Sequence, residues 1–441
     1  MHTCRKWRHI AFASQGALRL RLFCTHGTPV QKNLDCWPAL PIVVQYGGLL
    51  ALAPPTPEDE DNIMAALKQS DRVISISLTV TTSLLKKLST IEGAFSELQD
   101  LVLHSRDGVA LTMPSAFRWG QRLCHLYLTR ITFPVHLQPL YISSSTNLID
   151  LQLLDAFPPW KFPLEMLMKV LSKLGRLRSF SLHFHSTNHR YFLSPATEII
   201  FLPALTRLNY RGTMAYLKGI MTSIDAPFLE DIEITSFDNP TVAHSELNEF
   251  IGWMEIYKSH CGAYSFTSEP TISISLTQPG TPMRLKLQLL CKSSHMQISS
   301  LAQICLDSPF LFNDEGDLCI STARPPVQMN SSHSRELLEL LNQITGTKSF
   351  YLDMDRSINV VHALQPPETQ RRHGNILTAL HKLYIPQPGP RDAALREAVV
   401  SFMISRRLSG NPIVVEYERG VNKHRDAGIL QSMLPSSIQD C

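Results

Sequence analysis

The chain has 441 residues, 44% of them hydrophobic and only 18% charged, with a formal net charge of +3. That length and apolar content support a large core, arranged as two or three domains or as one long repeat array. The low charge content excludes a coiled coil and a highly charged disordered chain, and the small net charge supplies no global field to select nucleic acid or an anionic membrane.

At the N-terminus, Trp7, Ile10 and Ala11 fall at helical spacing and predict a short helix with one apolar stripe within residues 1–22. Residues 23–69 read as a connector. Its apolar run from Pro41 to Pro55 is broken by Gln45, Gly47 and Gly48, so it is too interrupted to span a bilayer. The stretch from Pro54 to Asp61 reads as a turn-rich acidic loop. Residues 1–34 carry Arg5, Lys6, Arg8, Arg19, Arg21 and Lys32 with no Asp or Glu, a mitochondrial-leader-like composition. The nine cysteines are widely scattered, which fits a reducing compartment with thiols used as small buried hydrophobes. Cytoplasm or nucleus is therefore expected ahead of the mitochondrial matrix.

From residue 70 to 260 a repeat dominates. The unit apolar-x-x-apolar-x-apolar recurs as Val73-Ile76-Leu78, Leu98-Leu101-Leu103, Leu123-Leu126-Leu128, Leu148-Leu151-Leu153, Leu177-Phe180-Leu182, Leu205-Leu208-Tyr210 and Leu229-Ile232-Ile234. Successive first positions are 25, 25, 25, 29, 28 and 24 residues apart. Apolar positions two apart share one face of a strand, so each unit predicts a short strand burying its last two apolar residues. Helical periodicity over 164–174, 214–224 and 245–257 supplies return segments. The expected fold is α/β: an irregular leucine-rich-repeat-like solenoid, with parallel strands on the concave side and helices outside, preceded by a short helical remnant. The Asn or Cys that usually follows the strand of such a repeat is missing, so its turns must be satisfied differently.

Between 261 and 418 the period lengthens. Ile272–Leu276 and Arg284–Leu290 flank a Pro-Gly turn and predict a hairpin. Strands are expected at 318–320, 350–352, 383–385 and 415–417, with helices over 335–344 and 393–408. Residues 419–441 are polar, break the pattern, and read as a disordered tail.

No nucleotide-binding, zinc-protease or nucleophile-elbow motif is present, and no catalytic pair suggests itself. His183, His185 and His189 could offer metal ligands, but the strand frame and the lack of a nearby Cys or carboxylate argue for none. No cofactor is expected. Charge is segregated: residues 161–218 hold nine Lys/Arg against two acids, and residues 224–255 hold eight acids and no Lys or Arg. Stacked as neighbours, the two blocks form a bipolar surface for a protein partner, while the acidic block breaks any basic track that nucleic acid would need. Outward strand residues Gln99, His125, Gln152, Ser181, Asn209, Glu230, Asp231 and Glu233 are the candidate partner surface.

Cys4-Arg-Lys-Trp7-Arg-His-Ile10, followed by Leu18-Arg-Leu-Arg-Leu22, resembles the closing part of a fungal F-box. Tyr210–Gly219 and Ala226–Ile234 resemble blocks of fungal F-box proteins with leucine-rich-repeat-like arrays. The resemblance implies a substrate receptor of a cullin-based ubiquitin ligase, with Cys4, Trp7 and Ile10 as adaptor-contact candidates and a Skp-type adaptor as partner. Only the closing segment of the box lies within the chain, so adaptor binding is expected to be weak or absent. The alternative is an orphan leucine-rich-repeat scaffold that no longer binds the adaptor.

Overall fold

The computed structural model divides the chain into two units, residues 1–233 and 234–441. It describes residues 18–37, 40–47, 55–91, 93–107, 111–114, 118–132, 142, 145–155, 163–184 and 199–236. Further along it describes 261–267, 271–277, 284–290, 317–320, 348–352, 379–386 and 393–418. The helices expected at 245–257 and 335–344, and the tail at 419–441, lie outside the described residues, as do residues 1–17 of the helical segment expected over 1–22; its last residues, Leu20–Leu22, are strand rather than helix.

The first unit is built on a large sheet. Its strands are β1 (Leu20–Phe23), β2 (Ile42–Tyr46), β3 (Val73–Val80), β5 (Asp100–Ser105), β8 (His125–Thr129), β10 (Asp150–Leu154), β11 (Ser179–His183), β13 (Arg207–Gly212) and β15 (Asp231–Ser236), side by side in chain order. Pairing is parallel from β1 through β13. Two-residue strands β4 (Ala94–Phe95), β6 (Leu111–Thr112), β7 (Arg118–Trp119), β9 (Ile131–Thr132), β12 (Ile200–Phe201) and β14 (Ile224–Asp225) form three small parallel pairs: β4 with β7, β6 with β9, and β12 with β14.

The apolar unit in the sequence sets this register. Ile76, Leu101, Leu126, Leu151, Phe180 and Leu208 stand directly beside one another on successive strands. Leu78, Leu103, Leu128, Leu153, Leu182 and Tyr210 form a second row. No member of either row is more than 2% exposed. A one-residue slip would turn these side chains to the opposite face, so the pattern specifies the pairing strongly. Leu98, Leu123, Leu148, Leu177 and Leu205, the first positions of the second to sixth units, are fully buried where the chain turns into its strand.

Helices α1 (Val30–Cys36), α2 (Pro57–Leu67), α3 (Thr82–Leu88), α4 (Leu164–Leu171) and α5 (Met214–Ser223) complete the core with their apolar sides. Helix α2 contacts β2, α3 contacts β3, and α5 contacts β13. Two stretches differ from the sequence reading. Residues 23–69 carry strand and helix of the sheet's first layers. The acidic stretch is the first turn of α2 rather than a loop: Thr56 caps it, the Asp59 amide donates to Thr56 Oγ1 at 3.2 Å, and the Thr56 amide donates to Asp59 Oδ2 at 2.8 Å. Glu58, Asp59 and Glu60 there complement the positive end of the helix dipole.

At the starts of β8, β10, β11, β13 and β15, one carbonyl of the preceding repeat accepts two consecutive amides from the next. Gln99 O accepts from Cys124 at 2.8 Å and His125 at 3.0 Å, and Cys124 O from Ile149 at 2.7 Å and Asp150 at 3.1 Å. Ile149 O, Arg178 O and Thr206 O do the same for the pairs 178/179, 206/207 and 230/231. At the strand ends of β8 and β10, Arg130 (φ 55°) and Asp155 (φ 50°) turn the chain in the left-handed region.

In the second unit, β16 (Cys261–Thr267) runs antiparallel to β17 (Thr271–Thr277), which forms the expected antiparallel hairpin with β18 (Arg284–Leu290). Strands β19 (Asp317–Ile320), β20 (Ser349–Leu352), β21 (Lys382–Pro386) and β22 (Val414–Glu418) continue in parallel from β16. Helix α6 (Ala393–Leu408) joins β21 to β22 and buries Leu395, Ala398, Val399 and Phe402.

Candidate interaction surface

The strand positions between the buried rows turn to the other face of the first unit's sheet and form three rows of their own. The leading row is Ser75, Asp100, His125, Asp150, Ser179 and Arg207. The middle row is Ser77, Val102, Tyr127, Gln152, Ser181 and Asn209, and the trailing row is Thr79, His104, Thr129, Leu154, His183 and Arg211. Strands lie about 4.8 Å apart, so these side chains stand on a fixed grid and touch their row neighbours.

That proximity produces two polar networks. In the leading row, His125 bridges its neighbours: Nδ1 lies 2.6 Å from Asp100 Oδ1, and Nε2 lies 3.3 Å from Asp150 Oδ2. The Asp100 hydrogen bond raises the His125 pKa above 6.5, against the opposing effect of burial. Burial also raises the Asp150 carboxyl above its ordinary value, although His125, Ser179, Arg207 and Arg178 all pull it down. For Asp150 the loss of water outweighs the attraction of the imidazole. Burial, then Asp150 and Asp100, raises the Tyr127 phenol, so it is a neutral hydroxyl at any physiological pH. Further along, Arg207 Nε is 3.4 Å from Asp231 Oδ2, which joins the basic and acidic blocks of the sequence.

The second network runs diagonally. His183 Nε2 lies 3.0 Å from Asn209 Oδ1, and Asn209 Nδ2 donates to Glu233 Oε2 at 3.5 Å. The amide oxygen can only accept, so Nε2 carries the proton. Burial holds the His183 pKa below 6.5. His104 is lowered as well, by burial and then by Arg130.

The candidate residues distribute over this face unevenly. His125 stands in the leading row, and Gln152 and Asn209 in the middle row; Asp231 and Glu233 are half-buried on β15. Gln99 and Glu230 each immediately precede a strand, so they flank the rows rather than belong to them. Ser181 needs correction as a contact residue. It is in register between Gln152 and Asn209 but only 6% exposed, because its short side chain lies below those of its larger row neighbours. Cys4, Trp7 and Ile10 lie outside the described residues, as do His185 and His189. Among the described residues, no group of three His, Cys, Asp or Glu is placed to hold a metal ion, and no helix is long and apolar enough to cross a membrane.

Asp100, Tyr127 and Asp150 are absent from the candidates read from the sequence, and His183 is considered there only as a metal ligand. For the first three the signal is present: they sit at the same offsets from the buried apolar positions as His125 and Gln152. The cysteines vary. Cys24 is buried, with its thiol pushed up to about 12 by burial and then by Asp59, Cys124 is half-buried, and Cys36 is exposed. No protein-family model and no curated protein matches this chain.

Proposed function

We propose that the chain is a non-catalytic protein-binding repeat protein, an irregular leucine-rich-repeat-like solenoid that serves as an F-box-type substrate receptor for a cullin-based ubiquitin ligase. In this reading the leading, middle and trailing rows line the concave face and meet a protein substrate, while the segment containing Cys4, Trp7 and Ile10 meets a Skp-type adaptor. The observation that carries the protein-binding part is the in-register polar grid over two fully buried apolar rows. A parallel ladder holds side chains at fixed spacing without ordering cost on binding, which is what selective recognition of another protein surface requires. The F-box part rests on the sequence resemblance alone. In this reading the protein works in the cytoplasm or nucleus, in keeping with its scattered cysteines.

The test is titration of purified Skp-type adaptor against the chain and against a Cys4→Ala/Trp7→Ala/Ile10→Ala variant. Weak saturable binding that disappears in the variant supports the receptor reading. Equal binding by both, or none by either, removes the adaptor from the account and leaves an orphan scaffold.

A further inference from the structure

We propose that Asp100, His125 and Asp150 form a proton-operated clamp across β5, β8 and β10, closed while His125 is an imidazolium and opened when it loses its second proton. The clamp needs no partner, so its failure would leave the receptor reading standing.

The argument begins with donors and acceptors. Asp100 and Asp150 each present a carboxylate oxygen to a different nitrogen of the same ring, at 2.6 and 3.3 Å. Neutral imidazole has one N–H and one lone pair, so it can serve only one carboxylate and turns its lone pair on the other. The imidazolium serves both. The three side chains are 33%, 28% and 25% exposed, in the order Asp100, His125, Asp150, so solvent screens the contacts only in part.

The surroundings leave the imidazolium as the main cation between these carboxylates. On its own strand His125 is accompanied by Tyr127, a neutral phenol, and preceded by Cys124, whose thiol is raised by burial. From β5 it faces Asp100, and from β10 it faces Asp150. The guanidinium groups that act on Asp150, Arg178 and Arg207, come from the β11 and β13 side, away from His125, and Arg207 is already engaged with Asp231. Arg122 is committed to Glu97 by a short ion pair, and Arg176 to Asn147 at 3.0 Å.

The sign follows from linkage. The folded chain holds the His125 proton more tightly than the unfolded chain, so its contribution is fully present below the ordinary imidazole value. It is lost as pH rises through the folded value. The same loss leaves two half-buried carboxylates without their shared cation and removes one positive charge from the leading row. A proton thereby changes both the cohesion and the charge of this face.

The experiment is a pH titration of the chain labelled at histidine Cε1, with the His125 resonance assigned by its disappearance in His125→Gln. The expected midpoint lies above 6.5 and falls in both Asp100→Asn and Asp150→Asn. Wild type should also lose its thermal-stability advantage over His125→Gln as pH rises through that midpoint, a comparison that survives even if an Asp variant fails to fold. A midpoint at or below 6.5, or a stability difference that does not change with pH, overturns the clamp.

Discussion

Tyr210 stands beside Leu182 in the second buried row, yet its hydroxyl donates a 2.8 Å hydrogen bond to the Thr213 carbonyl. The bond ties the end of β13 to the N-cap of α5, and the ring stacks on Tyr216 and meets Phe184 edge-on. Thr213 O also accepts the Leu217 amide at 3.2 Å, so losing the hydroxyl leaves no orphaned acceptor. Tyr210→Phe should therefore cost about 1 kcal/mol, the net value of one hydrogen bond, rather than the larger desolvation penalty. Urea unfolding decides between the two.

Leu126 is fully buried between Leu101 and Leu151. Leu126→Ala should destabilise the first unit by ~2–5 kcal/mol, since an in-register ladder cannot collapse onto the gap without moving its strands. A loss below about 1 kcal/mol in equilibrium unfolding would mean that the site repacks and that the ladder is softer than its burial indicates.

Acid should act through His183. Its half-buried ring is held neutral, with a pKa pushed below 6.5 by burial, so the unfolded chain takes up a proton that the folded chain refuses. Stability is then retained above 6.5 and lost as pH falls toward the folded value. His183→Asn should flatten this acid slope between pH ~6.5 and the onset of acid unfolding, read from melting temperature against pH. An unchanged slope would place the acid sensitivity elsewhere.

Thr56 and Asp59 cap α2 reciprocally, and Asp59 Oδ2 also accepts the Tyr46 hydroxyl at 3.3 Å. Thr56→Ala should cost about 1 kcal/mol, and Asp59→Ala more, because the latter also strips the Tyr46 hydroxyl of its acceptor. Chemical denaturation of the two variants gives the order directly.

How much of this was legible varies with element length. Leucines recurring every 25 residues place β5, β8 and β10 to within two residues, because a register row needs every repeat to agree. The same alternation, applied to each strand in turn, produces Asp100 and Asp150; taking a single outward residue from β8, β10, β11 and β13 hides the network. Residues 54–61 misled because prolines and acids read as a loop, whereas Pro57 occupies the first turn of α2, where proline is tolerated. Two-residue strands such as β6 and β9 are shorter than any period and leave no trace in the pattern. The Leu18–Leu22 alternation is a strand signal, and the structure forms β1 at Leu20–Phe23.

Glu230 is exposed and precedes β15, outside the Arg207–Asp231 contact. Reversing it with Glu230→Lys should slow association with a protein partner and reduce the salt dependence of that rate, leaving stability within about 0.5 kcal/mol of wild type. Stopped-flow association at low and physiological salt checks both.

The most direct test of the receptor account compares the two sides of the first unit against one purified partner, identified by proximity labelling. Tyr127→Ala/Gln152→Ala alters the middle row, and Glu165→Ala/Lys169→Ala alters exposed positions of α4. The measurement is the Kd of each variant. The account predicts at least a tenfold loss, about 1.4 kcal/mol, for the strand pair and none for the helix pair. Full affinity in the strand pair, with loss in the helix pair, would contradict it.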